Sequence, residues 1–208
     1  MVRITAENSQ QIGRKIVQIE PKFKDVVSKF GPAPIGVRRP SQNNFEALAD
    51  SILSQQLSTK AAATIIARVA SLCGGRLDPI EISSMRRSQL RKVGCSESKA
   101  RALIELSRAI TSGELRLGSL GRKDDSEIME ILLPYHGIGR WTVEMFLIFQ
   151  LGRLDIWPTG DLGVRRGWEK VHKMKREIQM DELEKLGEKF APYRSHLAWY
   201  CWRAHSLY

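Results

Sequence analysis

Apolar residues recur at helical spacing along nearly the whole chain. Phe45, Leu48, Ala49, Ile52, Leu53 and Leu57 follow an i, i+3, i+4, i+7, i+8 progression that puts them on one helix face. The pattern closes at Gln55-Gln56-Leu57-Ser58, and Ser58 is placed to cap a second, alanine-rich helix that stops at Gly74-Gly75. Gly94 ends a further helix and Ser96 caps the next, with Ala100, Leu103, Ile104, Ser107 and Ile110 along one side. From Val143 to Leu151 apolar positions go nearly all the way round, only Glu144 and Gln150 being polar, which predicts a helix running through the middle of the fold. Leu183, Leu186 and Phe190 mark another amphipathic helix, and Pro192 with Ser195 separates it from a last one carrying Trp199 and Trp202. Strict alternation is confined to Glu114-Leu115-Arg116-Leu117, too short to found a sheet. The pattern therefore predicts an all-α protein, with the proline-rich stretch from Phe30 to Pro40 as a connector.

Composition narrows what such a protein does. A chain of 208 residues, 42% hydrophobic, is long enough for a sizeable core in one domain or two small lobes. Thirty-three Lys and Arg against 23 Asp and Glu give a net charge of +10, which points to an anionic partner. Charge alone does not separate nucleic acid from anionic lipid. Residues 1–10 lack the apolar run of a secretory signal, and no stretch approaches the roughly 18 apolar residues of a membrane span, so a soluble intracellular protein without membrane attachment is expected. Cys73, Cys95 and Cys201 are scattered without any C-x-x-C, and His136, His172, His196 and His205 lack ligand spacing. Neither a disulfide framework nor a metal site made by side chains is expected.

The segment Leu132 to Thr142, LLPYHGIGRWT, changes the picture further. Gly137-Ile138-Gly139 is a tight turn whose glycines remove side chains where a phosphate could approach, and Arg140-Trp141-Thr142 opens an apolar helix behind it. Backbone amides at a helix N-terminus suit an anion. Downstream, Asp161 stands alone in the Pro/Gly-rich PTGDLGVRR, at or just before a helix start. Each feature has an ordinary use, the turn as helix-to-helix punctuation and the aspartate as an N-cap. Their order along one chain is the more specific signal.

That order extends to FEALADSILSQQLS, LRKVGCSESKARAL, LLPYHGIGRWTVEMF, DIWPTGDLGVRRGW and APYRSHLAWYCWRA. From about Asn43 to Trp202 the chain resembles the helix-hairpin-helix base-excision DNA glycosylases, and among them the alkylated-base enzymes of the DNA-3-methyladenine glycosylase II type. The resemblance implies a two-lobed helical glycosylase fold without the β-rich N-terminal domain that part of that family carries. About 43–133 would form one lobe, 1–42 with 134–208 the other, and the hairpin 128–151 would lie between them.

The same resemblance implies an activity. A monofunctional enzyme of this type flips an alkylated purine, such as 3-methyladenine or 7-methylguanine, from duplex DNA and hydrolyses its N-glycosidic bond in base excision repair. Bifunctional relatives carry a nucleophilic Lys two positions beyond the second hairpin glycine, where this chain has Trp141, so lyase activity should be absent. Asp161 would stabilise the oxocarbenium-like sugar and orient the attacking water, with Asp155 structural. Trp141 and Trp202 would face the cationic base, with Met145 and Tyr200 beside them, while Trp157, Trp168 and Trp199 belong to the core. Gln56 would be the wedge that fills the hole left by the base, flanked by Gln55 and Leu57. Gly137, Gly139, Arg140, Thr142 and Arg165 would hold the DNA backbone, with Lys99, Arg101 and Arg166 as further phosphate contacts. Hairpin carbonyls in this family commonly place a monovalent cation, which implies a Na+ or K+ site at the backbone of Gly137 and Gly139, with no other cofactor and no iron–sulfur cluster. The implied partner is double-stranded DNA containing damaged bases, bound by a monomer, in the cytoplasm at the nucleoid of a prokaryote or in a eukaryotic nucleus. Two rival readings keep the hairpin but change the chemistry: a non-catalytic DNA-binding module, and a glycosylase for oxidised or mismatched bases.

Overall fold

The computed structural model describes residues 3–38 and 40–207. Among these residues twelve α-helices follow one another: α1 Ala6–Ile19, α2 Lys24–Phe30, α3 Asn44–Ser54, α4 Thr59–Leu72, α5 Pro79–Ser84, α6 Arg87–Lys92, α7 Glu97–Thr111, α8 Asp125–Leu132, α9 Arg140–Met145, α10 Leu162–His172, α11 Met180–Gly187 and α12 Arg194–Leu207. No strand occurs among the described residues, and none of their helices is long and apolar enough to cross a membrane. The chain divides into two compact bodies, Pro40–Phe146 on the one hand and Met1–Arg39 with Leu147–Tyr208 on the other. The hairpin turn and α9 fall inside the first body, because α9 packs on α3 and α8.

In the 40–146 body, α3 starts where Asn43 accepts from Glu46 N at 2.9 Å and the Glu46 carboxylate accepts from Asn43 N at 2.8 Å, a reciprocal cap. Phe45, Leu48, Ala49, Ile52 and Leu53 are buried, as their spacing predicts. Each contributes roughly 1.5–3 kcal/mol by leaving water, alanine less. Glu46 also receives Arg76 Nε at 2.9 Å and Nη2 at 3.0 Å, and these hydrogen bonds hold its carboxyl below the usual value. Gly94, at φ +107°, turns the chain from α6 into α7, where Ser96 accepts from Lys99 N. The alternating residues at 114–117 form no strand; Leu115 and Leu117 are buried instead, and a 3-10 turn starts at Leu117.

The other body is built on the contact of α10 with α12. At Gly167 the two backbones approach so closely that a Cβ would stand 1.8 Å from the Cys201 carbonyl oxygen. Around it Trp168 stacks on His172 with ring centroids 4.2 Å apart and meets Phe23, Trp157 and Phe190 at tilted or edge-on angles. Trp157, Trp168 and Trp199 are core residues, as expected.

His196 on α12 lies fully buried with neither ring nitrogen partnered. Burial disfavours its charged form and lowers its pKa from 6.5 to about 4. The unfolded chain therefore takes up a proton that the folded chain refuses, so stability is complete above pH 6.5 and falls as the pH drops toward 4. Between about pH 7 and pH 5 the loss expected from this one group is about 2 kcal/mol. His196→Leu should abolish that component in urea unfolding at the two pH values; an unchanged pH dependence in the variant would refute it.

One expected helix takes a different path. The apolar run 143–151 leaves α geometry after Met145 and continues as a π-helical turn, Phe146–Gln150. Val143, Phe146, Leu147, Ile148 and Leu151 are buried, whereas Phe149 is 48% exposed. A π turn holds more residues than an α turn, so successive side chains rotate by less and one that α spacing would bury faces out.

Candidate functional site

The 40–146 body carries the candidate gripping elements. Gly137 has φ +81°, and a Cβ there would stand 2.6 Å from Ala102 Cβ, so both the backbone angle and its packing on α7 demand glycine. Gly139 differs. Its φ of −93° suits any residue, and a Cβ would meet nothing within 4 Å. No internal contact requires this glycine, so what it leaves clear is the outer face at the start of α9. Arg140, in the first turn, is largely exposed, and its Nε donates to the buried Glu144 carboxylate at 2.9 Å. Trp141 is 42% exposed, and half-buried Met145 lies four residues on, along the same face of α9.

Thr142 does not reach the surface. It is buried, and its hydroxyl accepts from Gln55 Nε2 at 3.3 Å; the same amide nitrogen donates to Gly137 O at 2.9 Å. This corrects two expectations. Thr142 supports the hairpin from inside, and Gln55 fastens the neighbouring loop to it rather than facing outward. The carbonyls named for a monovalent cation both accept hydrogen bonds within the protein, Gly137 O from Gln55 and Gly139 O from Val143 N at 3.2 Å. A cation would have to share them.

Gln56 and Leu57 are exposed, as a wedge requires. Leu57 N donates to Ser54 O at 3.2 Å, closing a turn in which Gln55 has φ −51° and ψ 131° and Gln56 has φ +55°. This is a type II turn with glutamine at the position that ordinarily takes glycine. A left-handed non-glycine residue is disfavoured by roughly 1–3 kcal/mol and persists only where its surroundings impose it. Lys99, expected on a phosphate, turns inward and donates to Leu53 O and Gln55 O. Arg101 pairs with Glu105 on its own helix.

The second body holds the carboxylate. Asp161 is the N-cap of α10: Oδ1 accepts from Val164 N at 2.9 Å and from the Trp202 indole Nε1 at 2.8 Å. Capping and chemistry are compatible uses of one group, since the cap fixes the carboxylate at a helix N-terminus. A Cβ at Gly163 would lie 2.9 Å from Trp202 Cδ1 and 3.1 Å from Asp161 Oδ1, so this glycine admits the indole. Beneath them Cys201 is fully buried, and its thiol is pushed up by burial first and by the Asp161 charge second.

Phe149 completes the aromatic set, its ring centroid 5.6 Å from that of Trp202 at an interplanar angle of 34°. Sequence reasoning misses it, because the apolar run around it hides which residue the π turn expels. Tyr200 is removed from the set. It is fully buried, and its hydroxyl donates to Gly31 O at 3.0 Å, beside Gly13. Asp155 is structural, bound by Arg194 Nε and Nη2 at 2.8 and 2.9 Å. Arg166 is held by Glu169 and Glu177. Arg165 is half-buried, with its Nε lacking a hydrogen-bond partner.

The chain is similar to known proteins. The family described as HhH-GPD superfamily base excision DNA repair protein matches residues 49–192. The alkylbase DNA glycosidase-like protein mag2 of Schizosaccharomyces pombe is 29% identical over 199 residues, 94% of this chain and 93% of that protein. DNA-3-methyladenine glycosylase 1 of the same yeast is 36% identical over 166 residues, covering 78% of this chain and 73% of its own. The solved structure of the S. pombe 3-methyladenine DNA glycosylase Mag1 in complex with abasic DNA superposes with a TM-score of 0.83 at 32% identity, over 92% of this chain and 95% of that one.

Proposed function

Because the chain belongs to the HhH-GPD superfamily of base excision DNA repair proteins, we propose that it is a monofunctional DNA glycosylase of the 3-methyladenine type, releasing alkylated purines from duplex DNA by hydrolysis. The observation that carries this reading is the Asp161 carboxylate, held at the start of α10 by Val164 N and the Trp202 indole with Phe149 against Trp202. A base inside a duplex exposes neither its glycosidic bond nor its faces, so the nucleotide must first be turned out and the hole filled. Gln56, on the exposed turn, is the group assigned to fill it. Gly139 leaves the backbone at the start of α9 open to a phosphate, a contact that positions DNA without reading its sequence.

Cleavage then proceeds by loss of the base from the sugar. A purine methylated at N3 or N7 is already cationic and leaves as a neutral molecule, so no general acid is required. Electron-rich faces of Trp202 and Phe149 favour the cationic base. The Asp161 carboxylate offsets the positive charge that develops on the sugar and aligns the water that attacks C1′, taking its proton. The product is an abasic site. With Trp141 where a Schiff-base lysine would stand, no amine is placed to carry the reaction into strand cleavage.

The test is release of methylated bases from duplex DNA. The reading expects 3-methyladenine and 7-methylguanine in the supernatant, intact strands until alkali is added, and no covalent adduct with borohydride. Tight DNA binding without release of any base from a lesion panel would instead support the non-catalytic module, and preferential release of oxidised or mismatched bases the other glycosylase class.

A further inference from the structure

The turn that carries Gln56 is fixed by a charge from another helix. Lys99, in the first turn of α7, places Nζ 2.8 Å from both Leu53 O and Gln55 O. These oxygens belong to the end of α3, where carbonyls have lost their helical partners and a cation is favoured. The second of them decides the turn type. Types I and II differ by a flip of the central peptide plane, here the one between Gln55 and Gln56, and that flip reverses the direction of Gln55 O. With the oxygen held by the ammonium, the plane is fixed in the type II orientation and Gln56 takes φ +55°. Gln55 is itself anchored, its side-chain amide donating to Gly137 O and Thr142 Oγ1 of the hairpin. Partial burial of the ammonium lowers the pKa of Lys99.

We propose that Lys99 is a positioning residue which selects the type II turn and thereby aims Gln56 into the space vacated by a flipped nucleotide. The inference rests on the base-flipping reading of the chain. Without the ammonium, two carbonyls lose their partner, the Gln55–Gln56 plane relaxes to the type I orientation that a non-glycine residue prefers, and the Gln56 side chain points elsewhere. Binding to the DNA backbone, which uses the hairpin, is retained.

The experiment uses the full chain and a duplex containing a tetrahydrofuran abasic analogue with 2-aminopurine opposite, its fluorescence reporting insertion at the gap and its anisotropy reporting binding. Lys99→Met is expected to bind the duplex at saturation without the wild-type fluorescence change, and to release methylated bases on the order of tenfold more slowly, the size expected for loss of one charged hydrogen-bonding group. Lys99→Arg, which keeps a cation in reach of the carbonyls, should restore most of the signal. Gln55→Leu, which cuts the side-chain anchor to the hairpin and leaves the charge, should lose the signal likewise, and serves if Lys99→Met does not fold. A wild-type fluorescence change at saturation in folded Lys99→Met, or in folded Gln55→Leu, overturns the inference while leaving the glycosylase reading intact. Failure of the wild type itself both to change the signal and to release base overturns the glycosylase reading, and the inference with it.

Discussion

Asp161→Asn should leave a folded protein that still binds DNA but releases methylated bases slower by a factor on the order of 10²–10³, the usual effect of removing one preorganised electrostatic group. The substitution is unusually clean. Asparagine caps a helix about as well as aspartate, and its side-chain oxygen can keep both hydrogen bonds, from Val164 N and from Trp202 Nε1. What disappears is the negative charge. Asp161→Ala would mix two effects, adding about 1 kcal/mol of lost capping and freeing the indole. Single-turnover base release from methylated duplex, measured beside thermal unfolding and binding to an abasic-analogue duplex, separates these contributions. Undiminished release by a folded Asp161→Asn would end the assignment of the chemistry to this carboxylate.

Gly167→Ala should be severely destabilising. Its Cβ would fall 1.8 Å from the carbonyl oxygen of Cys201 and 2.8 Å from that residue's Cα. Overpacking against side chains is relieved by rotamer changes, but here the obstacle is helical backbone. Relief requires α10 and α12 to separate, which would loosen the ring cluster around Trp168. A loss of at least about 3 kcal/mol is expected, a large share of the stability of a domain this size. The same two helices carry Asp161 and Trp202, so a surviving fraction should also lose the hydrogen bond between them. Chemical unfolding of the variant at neutral pH tests this; an unchanged midpoint would show that the helices have room the geometry denies.

What the sequence discloses is set by how local each signal is. The buried face of α3, the Ser58 and Ser96 starts, and the glycine at 94 follow from helical period and cap chemistry, which act over a few residues. Asp161 is legible for a similar reason, since a lone carboxylate after a Pro/Gly-rich loop is a pattern in the chain itself. Gln55, Lys99 and Thr142 are harder to place because their partners lie far along the chain: 82 residues separate Gln55 from Gly137 and 46 separate Lys99 from Leu53. A lysine or glutamine reads as a surface residue until tertiary structure supplies carbonyls for it. Tyr200 reads as a pocket residue by nearness to Trp202, but a residue two positions away on a helix faces a different side. Phe149 is hidden by a change of helical period that composition does not announce.

The π turn at Phe146–Gln150 holds one residue more than an α-helical path over the same stretch would. Deleting one residue from it after Phe149, such as Gln150, would rewind the segment to α geometry and turn the Phe149 side chain from its present direction, while the residues beyond stay nearly in phase. The outward aim of Phe149 is thus stored in the count of residues rather than in their kind. Conservative exchanges within the segment preserve that aim, whereas loss of one codon removes it even if every remaining side chain is kept.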